Sequence, residues 1–218
     1  MKKIVSNLRF NDKNQLVCKG KNGKYCPVFK KQGSLDGACA TYSVVMNLLI
    51  LSVISDTDTR IYAEHKTKEI KKLFKVFCGD HGMHRNGQTF YKIRDMLSES
   101  FGKVIDVKHT CTKCSGWETL DRIVSIIKTD DKPVIISVHN NYLFHAMLAV
   151  GYEKEDDKIT RLFLLDPDGD YIHGRKRWNA VIEVNNERKN HFSYISSKDG
   201  IKTKSYVELD DILILSRV

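Results

Sequence analysis

Hydrophobic positions change their spacing about two thirds of the way along this chain, and the change sorts its expected elements. Residues 38–51 contain neither Gly nor Pro and are apolar almost throughout, which predicts a buried helix. A polar turn of Gly33, Ser34, Asp36 and Gly37 precedes it. Ile70, Leu73, Phe74 and Phe77 recur at intervals of three or four and predict a helix over part of 61–78, with Lys66, Lys68, Lys71, Lys72 and Lys75 on its other face. Phe90, Ile93 and Leu97 predict a helix over 90–97, and Leu120, Ile123, Val124 and Ile127 one over 118–128. From Pro133 the pattern turns β-branched with period two. It predicts strands over 133–139, 145–152, 159–165, 179–184, 191–196 and 212–216, after earlier ones at 4–10, 16–18 and 101–107. Short charged or Gly-containing turns, such as EKEDDK at 153–158, argue for antiparallel pairing.

Helices first and strands after make an α+β chain. The expected architecture is a helical lobe over about 32–130, built around the 38–51 helix, packed on an antiparallel sheet lobe over about 131–218. No repeat and no Pro-, Gly- or Ser-rich linker interrupts it, so 1–218 reads as a single domain with a basic, irregular segment at 1–31.

Composition narrows the class. The 218 residues are 41% hydrophobic with 3 Pro and 13 Gly, which is globular rather than disordered or fibrous. The longest apolar run, 44–54, is broken by Asn47 and Ser52 and is too short to span a membrane. Residues 1–15 contain no apolar stretch of the signal-peptide kind. The expected location is cytoplasmic, or outside the cell by a route that cleaves no signal peptide. Six cysteines in such a chain read as thiols rather than disulfides. The formal charge is +9, and residues 1–31 hold nine Lys or Arg against one Asp. That excess suits an acidic protein partner or a solvated surface, and no nucleic-acid module accompanies it.

Candidate chemistry starts at Cys39, at the junction of turn and helix. A thiol in the first turn of a helix meets unpaired N–H groups and the positive end of the macrodipole, and both favour thiolate. A thiol nucleophile needs a base, and the base needs an orienting acceptor. His145 begins one predicted strand and Asp166 ends the next. If those strands form a hairpin through 153–158, the two become neighbours. Asp166 then holds one ring nitrogen and leaves the other for Cys39. Gln32, before the turn, is positioned to donate to an oxyanion together with the Cys39 N–H. His139 is a rival base, at the far end of its strand beside Asn140 and Asn141. His81 and His84 sit in a Gly-rich loop, and Cys111 and Cys114 have the C-x-x-C spacing of half a zinc site, to which Cys18 and Cys26 would be ill-spaced partners. The expected cofactor is none.

These residues carry a resemblance. QGSLDGACATYSVV around Gln32 and Cys39, FHAMLAVGYE around His145 and LFLLDPDG around Asp166 resemble the papain-like cysteine peptidases. Asp166 followed by Pro167 resembles the bacterial C39-like branch more than the plant and lysosomal one, which has Asn followed by Ser-Trp. The resemblance implies a papain-like fold with Cys39 as nucleophile, His145 as general base and acid, Asp166 as orienting residue and Gln32 as oxyanion donor. It departs at Ala40, where plant-type enzymes have an aromatic, and in a Gln-to-Cys interval one residue longer. The implied activity is cleavage of a peptide bond through a Cys39 thioester, in a bacterial effector or toxin, or in a leader-processing enzyme without its transporter. The same residues suit a deamidase, a transglutaminase or an isopeptidase acting on a ubiquitin-like tail. Readings of another class are an inactive interaction domain and a zinc-bearing nucleic-acid binder at Cys111 and Cys114. The substrate and oligomeric state are not written in these patterns.

Overall fold

The computed structural model describes residues 1–33, 37–60, 66–78, 88–110, 115–172, 176–185 and 191–218. Its elements in chain order are β1 (Lys2–Ile4), β2 (Arg9–Phe10), β3 (Leu16–Lys19), β4 (Tyr25–Pro27), α1 (Cys39–Ile50), α2 (Lys68–Cys78), α3 (Phe90–Phe101), β5 (Ile105–Thr110), α4 (Gly116–Thr129), β6 (Val134–His139), β7 (Phe144–Glu155), β8 (Lys158–Leu165), β9 (Ala180–Val184), β10 (Phe192–Lys198) and β11 (Ile201–Arg217), with a short 3-10 helix at Asp56–Thr59. Among the described residues this is a mixed α/β arrangement with four α-helices and one large antiparallel sheet.

The large sheet closes on itself. Its pairings run β7, β6, β11, β10, β9, β8 and back to β7, a six-stranded ring in which every pair is antiparallel. Closure removes the unpaired edges that an open sheet exposes. Strand β1 adds to β7 and β5 adds to β11, while β2, β3 and β4 form a separate three-stranded sheet.

The helices pack as their patterns require. Helix α1 is apolar on all sides and lies against β7 and β6. Its internal polar groups find carbonyls there: Ser43 Oγ donates to Ala146 O at 3.4 Å and Asn47 Nδ2 to Pro133 O at 3.4 Å. Helix α4 starts on a reciprocal cap between Ser115 and Glu118 and turns Leu120, Ile123, Val124 and Ile127 inward. Helix α3 is capped by Thr89, which accepts from Lys92 N.

Several boundaries differ from those the pattern predicts, each for a physical reason. The 4–10 strand divides: Leu8 N bonds back to Val5 O at 3.2 Å, so β1 joins the large sheet and β2 the small one. Helix α3 continues to Phe101, which is buried with Ile93 and Leu97, so the expected 101–107 strand begins instead at Ile105. The 153–158 turn shrinks to two residues, because Asp156 and Asp157 take φ of 47° and 61°. Left-handed geometry at both centres matches the twist of a two-residue hairpin, and Asp tolerates it. The last strand is 17 residues rather than five, because a bulge between Leu209 and Ile212 bends it to serve β10 first and then β6 and β5. Segment 1–31 is not irregular throughout, since β1 to β4 lie within it.

Candidate active site

Cys39 is the first residue of α1, preceded by Ala38, which brings no side-chain cap. A helix start presents N–H groups without intrahelical partners, which favours negative charge there. The Cys39 sulfur accepts from Ala146 N at 3.4 Å, and the Ala40 N–H also favours its charged form. The helix thus presents its first residue to the backbone of β7, one residue past His145.

His145 and Asp166 meet through the two-residue hairpin. Leu165 pairs with Leu148, so Asp166, next in the chain, continues towards the His145 end of β7. His145 Nε2 lies 2.6 Å from Asp166 Oδ1. An ionised carboxylate only accepts, so Nε2 carries the proton. Nδ1 is the ring nitrogen left for Cys39, whose charged form His145 favours. The histidine is 8% exposed and the aspartate 1%.

Burial opposes charge on all three groups, and their contacts overcome it. At Cys39 burial pushes the thiol up, but the hydrogen bond and charge of His145 bring it below its ordinary value. At His145 burial disfavours the imidazolium, yet hydrogen bonds and charge from Asp166 and Cys39 push it up to about 10. At Asp166 burial is outweighed by His145, by the Tyr194 hydroxyl and by the Asp168 N–H, which hold the carboxyl below the usual range. The arrangement favours a thiolate, an imidazolium and a carboxylate in a row.

The pattern did not mark the residues that hold Asp166. Buried Tyr194, on β10, donates its hydroxyl to Asp166 Oδ2. Asp168 N donates to Oδ1 at 3.0 Å. Asn179 clamps the backbone: its Oδ1 accepts from Asp166 N at 2.8 Å, and its Nδ2 donates to Asp166 O at 2.8 Å and Asp170 O at 3.0 Å. A Cβ at Gly169 would come within 2.7 Å of that Nδ2, so the loop needs glycine there. Asn179 directly precedes β9 and Tyr194 lies on an alternating strand, which is the only local signal either one gives.

Gln32, between β4 and α1, lies against the same loop. Its N–H donates to Pro167 O at 2.8 Å, and its Nε2 approaches Asp168 Oδ1 at 3.4 Å, beside Lys198 Nζ at 2.7 Å from that oxygen. His139 is elsewhere, stacked on Phe144 and 3.6 Å from both Glu208 and Asp210. Its register partner is Phe144, so it faces opposite to His145. Cys18 and Cys26 face each other across β3 and β4. The turn residues Ser34 and Asp36, the loop histidines His81 and His84, and the C-x-x-C cysteines Cys111 and Cys114 lie outside the described residues. Among the described residues no helix is long and apolar enough to cross a membrane.

No family model matches this chain, and no curated protein matches it. Among solved structures, UfSP from C. elegans is similar to it, with a TM-score of 0.43 and 14% sequence identity. The match covers 99% of this chain and 34% of that one, so the chain spans about a third of the length of UfSP.

Proposed function

We propose that the chain is a cysteine-dependent acyl-transfer hydrolase, a peptidase of papain-like design that cleaves a peptide bond in a protein substrate. One observation carries the reading. Cys39 at a helix start has its charged form favoured by a histidine whose Nε2 lies 2.6 Å from a buried aspartate that Tyr194, Asp168 N and Asn179 also hold. A histidine satisfied for packing alone has no need of a thiol on its second nitrogen. In this reading residues 1–218 act as one catalytic unit, in which α1 supplies the nucleophile and the β7–β8 hairpin supplies the base.

The chemistry follows from the charges. The Cys39 thiolate attacks the carbonyl carbon, and the oxygen gains the electron pair of the C=O bond. The Gln32 amide and the Cys39 N–H are the donors proposed for that oxyanion. As the C–N bond breaks, the imidazolium Nδ1 gives its proton to the departing amine and a thioester remains. Water then attacks the thioester while neutral His145 takes its proton. The C–S bond breaks, and the acid product leaves with the thiolate and imidazolium restored. Asp166 stays ionised and fixes the ring.

Brief iodoacetamide treatment below neutral pH, followed by intact mass and peptide mapping, tests this. A single fast adduct on Cys39, missing in Cys39→Ala, is expected. Modification of Cys39 no faster than of the other cysteines, in folded protein, would overturn the reading.

A further inference from the structure

Away from the proposed active site, the small sheet holds a pair of sulfur groups. Cys18 on β3 and Cys26 on β4 are register partners, directly opposite each other in an antiparallel pair. Opposed residues in such a pair have Cα atoms about 4.5–5.5 Å apart, inside the range a disulfide spans. Both are free thiols, 0% and 8% exposed. The two strands hold them face to face before any bond forms, so little backbone movement is needed to join them.

We propose that Cys18 and Cys26 are a reversible dithiol–disulfide site, closed by a hydroperoxide oxidant. The roles within the pair are unequal. The Cys18 contact favours the charged form of Cys26 and lowers it to about 7 against the opposing effects of burial and Asp56, while the charge of Lys30 helps. Cys18 is pushed up by the same contact and by burial, and keeps its proton. Cys26 is also the more exposed of the two. Cys26 is therefore the sulfur that meets the oxidant and Cys18 the one that resolves it.

The step balances. The Cys26 thiolate attacks one peroxide oxygen, the O–O bond breaks, and hydroxide leaves. The Cys18 sulfur then attacks the sulfur of the Cys26 sulfenic acid: the S–S bond forms, the S–O bond breaks, and the departing hydroxide leaves as water with the Cys18 proton. Two thiols have lost two electrons and hydrogen peroxide has gained them. The bond would tie β3 to β4 just before 28–32, the stretch that leads to Gln32. Lys30 in that stretch is paired to Asp56 at 2.8 Å.

The test uses the full chain as Cys39→Ala, which removes the third described thiol from the peroxide chemistry. The reduced, folded protein is exposed to hydrogen peroxide, blocked with an alkylator in denaturant and mapped by mass. The expected product is a linked Cys18–Cys26 peptide pair that a dithiol reductant reverses, with a melting temperature a few degrees higher than the reduced form. In a Cys18→Ser variant, Cys26 should stop at sulfenic acid and be captured by dimedone. Cys18 and Cys26 both remaining alkylatable while other cysteines oxidise would overturn the proposal. So would a Cys26 oxidised to sulfinic acid beside an intact Cys18 thiol in the parent chain.

Discussion

Cys39 and Cys26 are both thiols that ionise more easily than usual, and they reach that state in different ways. Cys26 leans on another thiol. What it gains, Cys18 loses, because one hydrogen bond lowers the first and raises the second. The pair sets two like groups against each other, and no imidazole is among the groups that shift Cys26. Cys39 leans on an imidazole, which becomes positive when the thiol becomes negative. The charges attract, and Asp166 stabilises the positive member from behind. The difference lies in the third group. A low thiol value alone marks reactivity towards oxidants, whereas a thiol beside a histidine that a carboxylate holds is the arrangement on which the proposed proton transfer to a leaving group rests.

The largest effect should come from removing the base. In His145→Ala, burial still pushes the Cys39 thiol up while its main support is gone. Iodoacetamide capture of Cys39 near neutral pH should fall by about tenfold or more, since one pH unit in the thiol value is tenfold in thiolate below it. Capture of Cys26, measured in the same peptide map, should hold steady. Equal loss at both thiols would mean that the substitution loosens the whole fold, and the contrast between the sites would go with it.

Tyr194→Phe should act through stability. It leaves Asp166 Oδ2 without its hydroxyl donor in a site where the carboxylate is 1% exposed. A buried acceptor stripped of its partner costs about 1–3 kcal/mol. Urea unfolding of Tyr194→Phe against wild type measures this directly. A difference under ~0.5 kcal/mol would put the value of that bond within the range of an ordinary surface change.

The two thiol sites were unequally legible in the sequence. Cys39, His145 and Asp166 sit at element boundaries that periodicity can locate, and a two-strand hairpin is a local structure, so the approach of His145 and Asp166 follows from short-range pattern, whereas Cys39 reaches β7 only through the packing of α1 on the sheet. The supports of Asp166 come from farther away. Tyr194 arrives on β10 because the ring closes through β9, and long-range closure leaves no local trace at that residue. The opposition of Cys18 and Cys26 was hidden for a related reason. Seven residues between cysteines allow a hairpin or a loop, and only the register of β3 on β4 decides which. The length of β11 was obscured by Lys202 and Lys204, exposed residues on a strand whose pairing with β10 outweighs their polarity.

Acidity separates the sites further. His145 is raised from 6.5 to about 10, so its contribution to stability is full below 6.5 and fades as pH climbs towards 10. Cys39 is lowered from 9.0, so its contribution is full above 9.0 and fades as pH falls. Between 6.5 and 9.0 the slopes oppose each other, and the pair should leave stability nearly flat. Cys39→Ala removes the rising half and leaves the decline of His145. Melting temperatures across that interval should be level for wild type and fall for the variant. Parallel curves would mean that the thiol and imidazole do not share their proton.

Cys26→Ser should produce the smallest change. Serine keeps the size and a donor at that position, so the β3–β4 pairing, which is made by backbone groups, has no reason to open. Cys18 loses the contact that raises it first of all, but burial remains and still opposes its ionisation. The Cys39 site takes its support from His145, Ala146 and Ala40, and the small sheet supplies none of it. Capture of Cys39 by iodoacetamide should therefore match wild type, and the same variant should lose the peroxide-induced link. If Cys39 slows as well, the two sulfur sites are coupled, and the obvious carrier is the 28–32 stretch that runs from β4 to Gln32 and bonds to Pro167 O beside Asp166. A hydrogen-bond-breaking change at that contact would then slow Cys39 by the same factor, with Cys18 and Cys26 left in place.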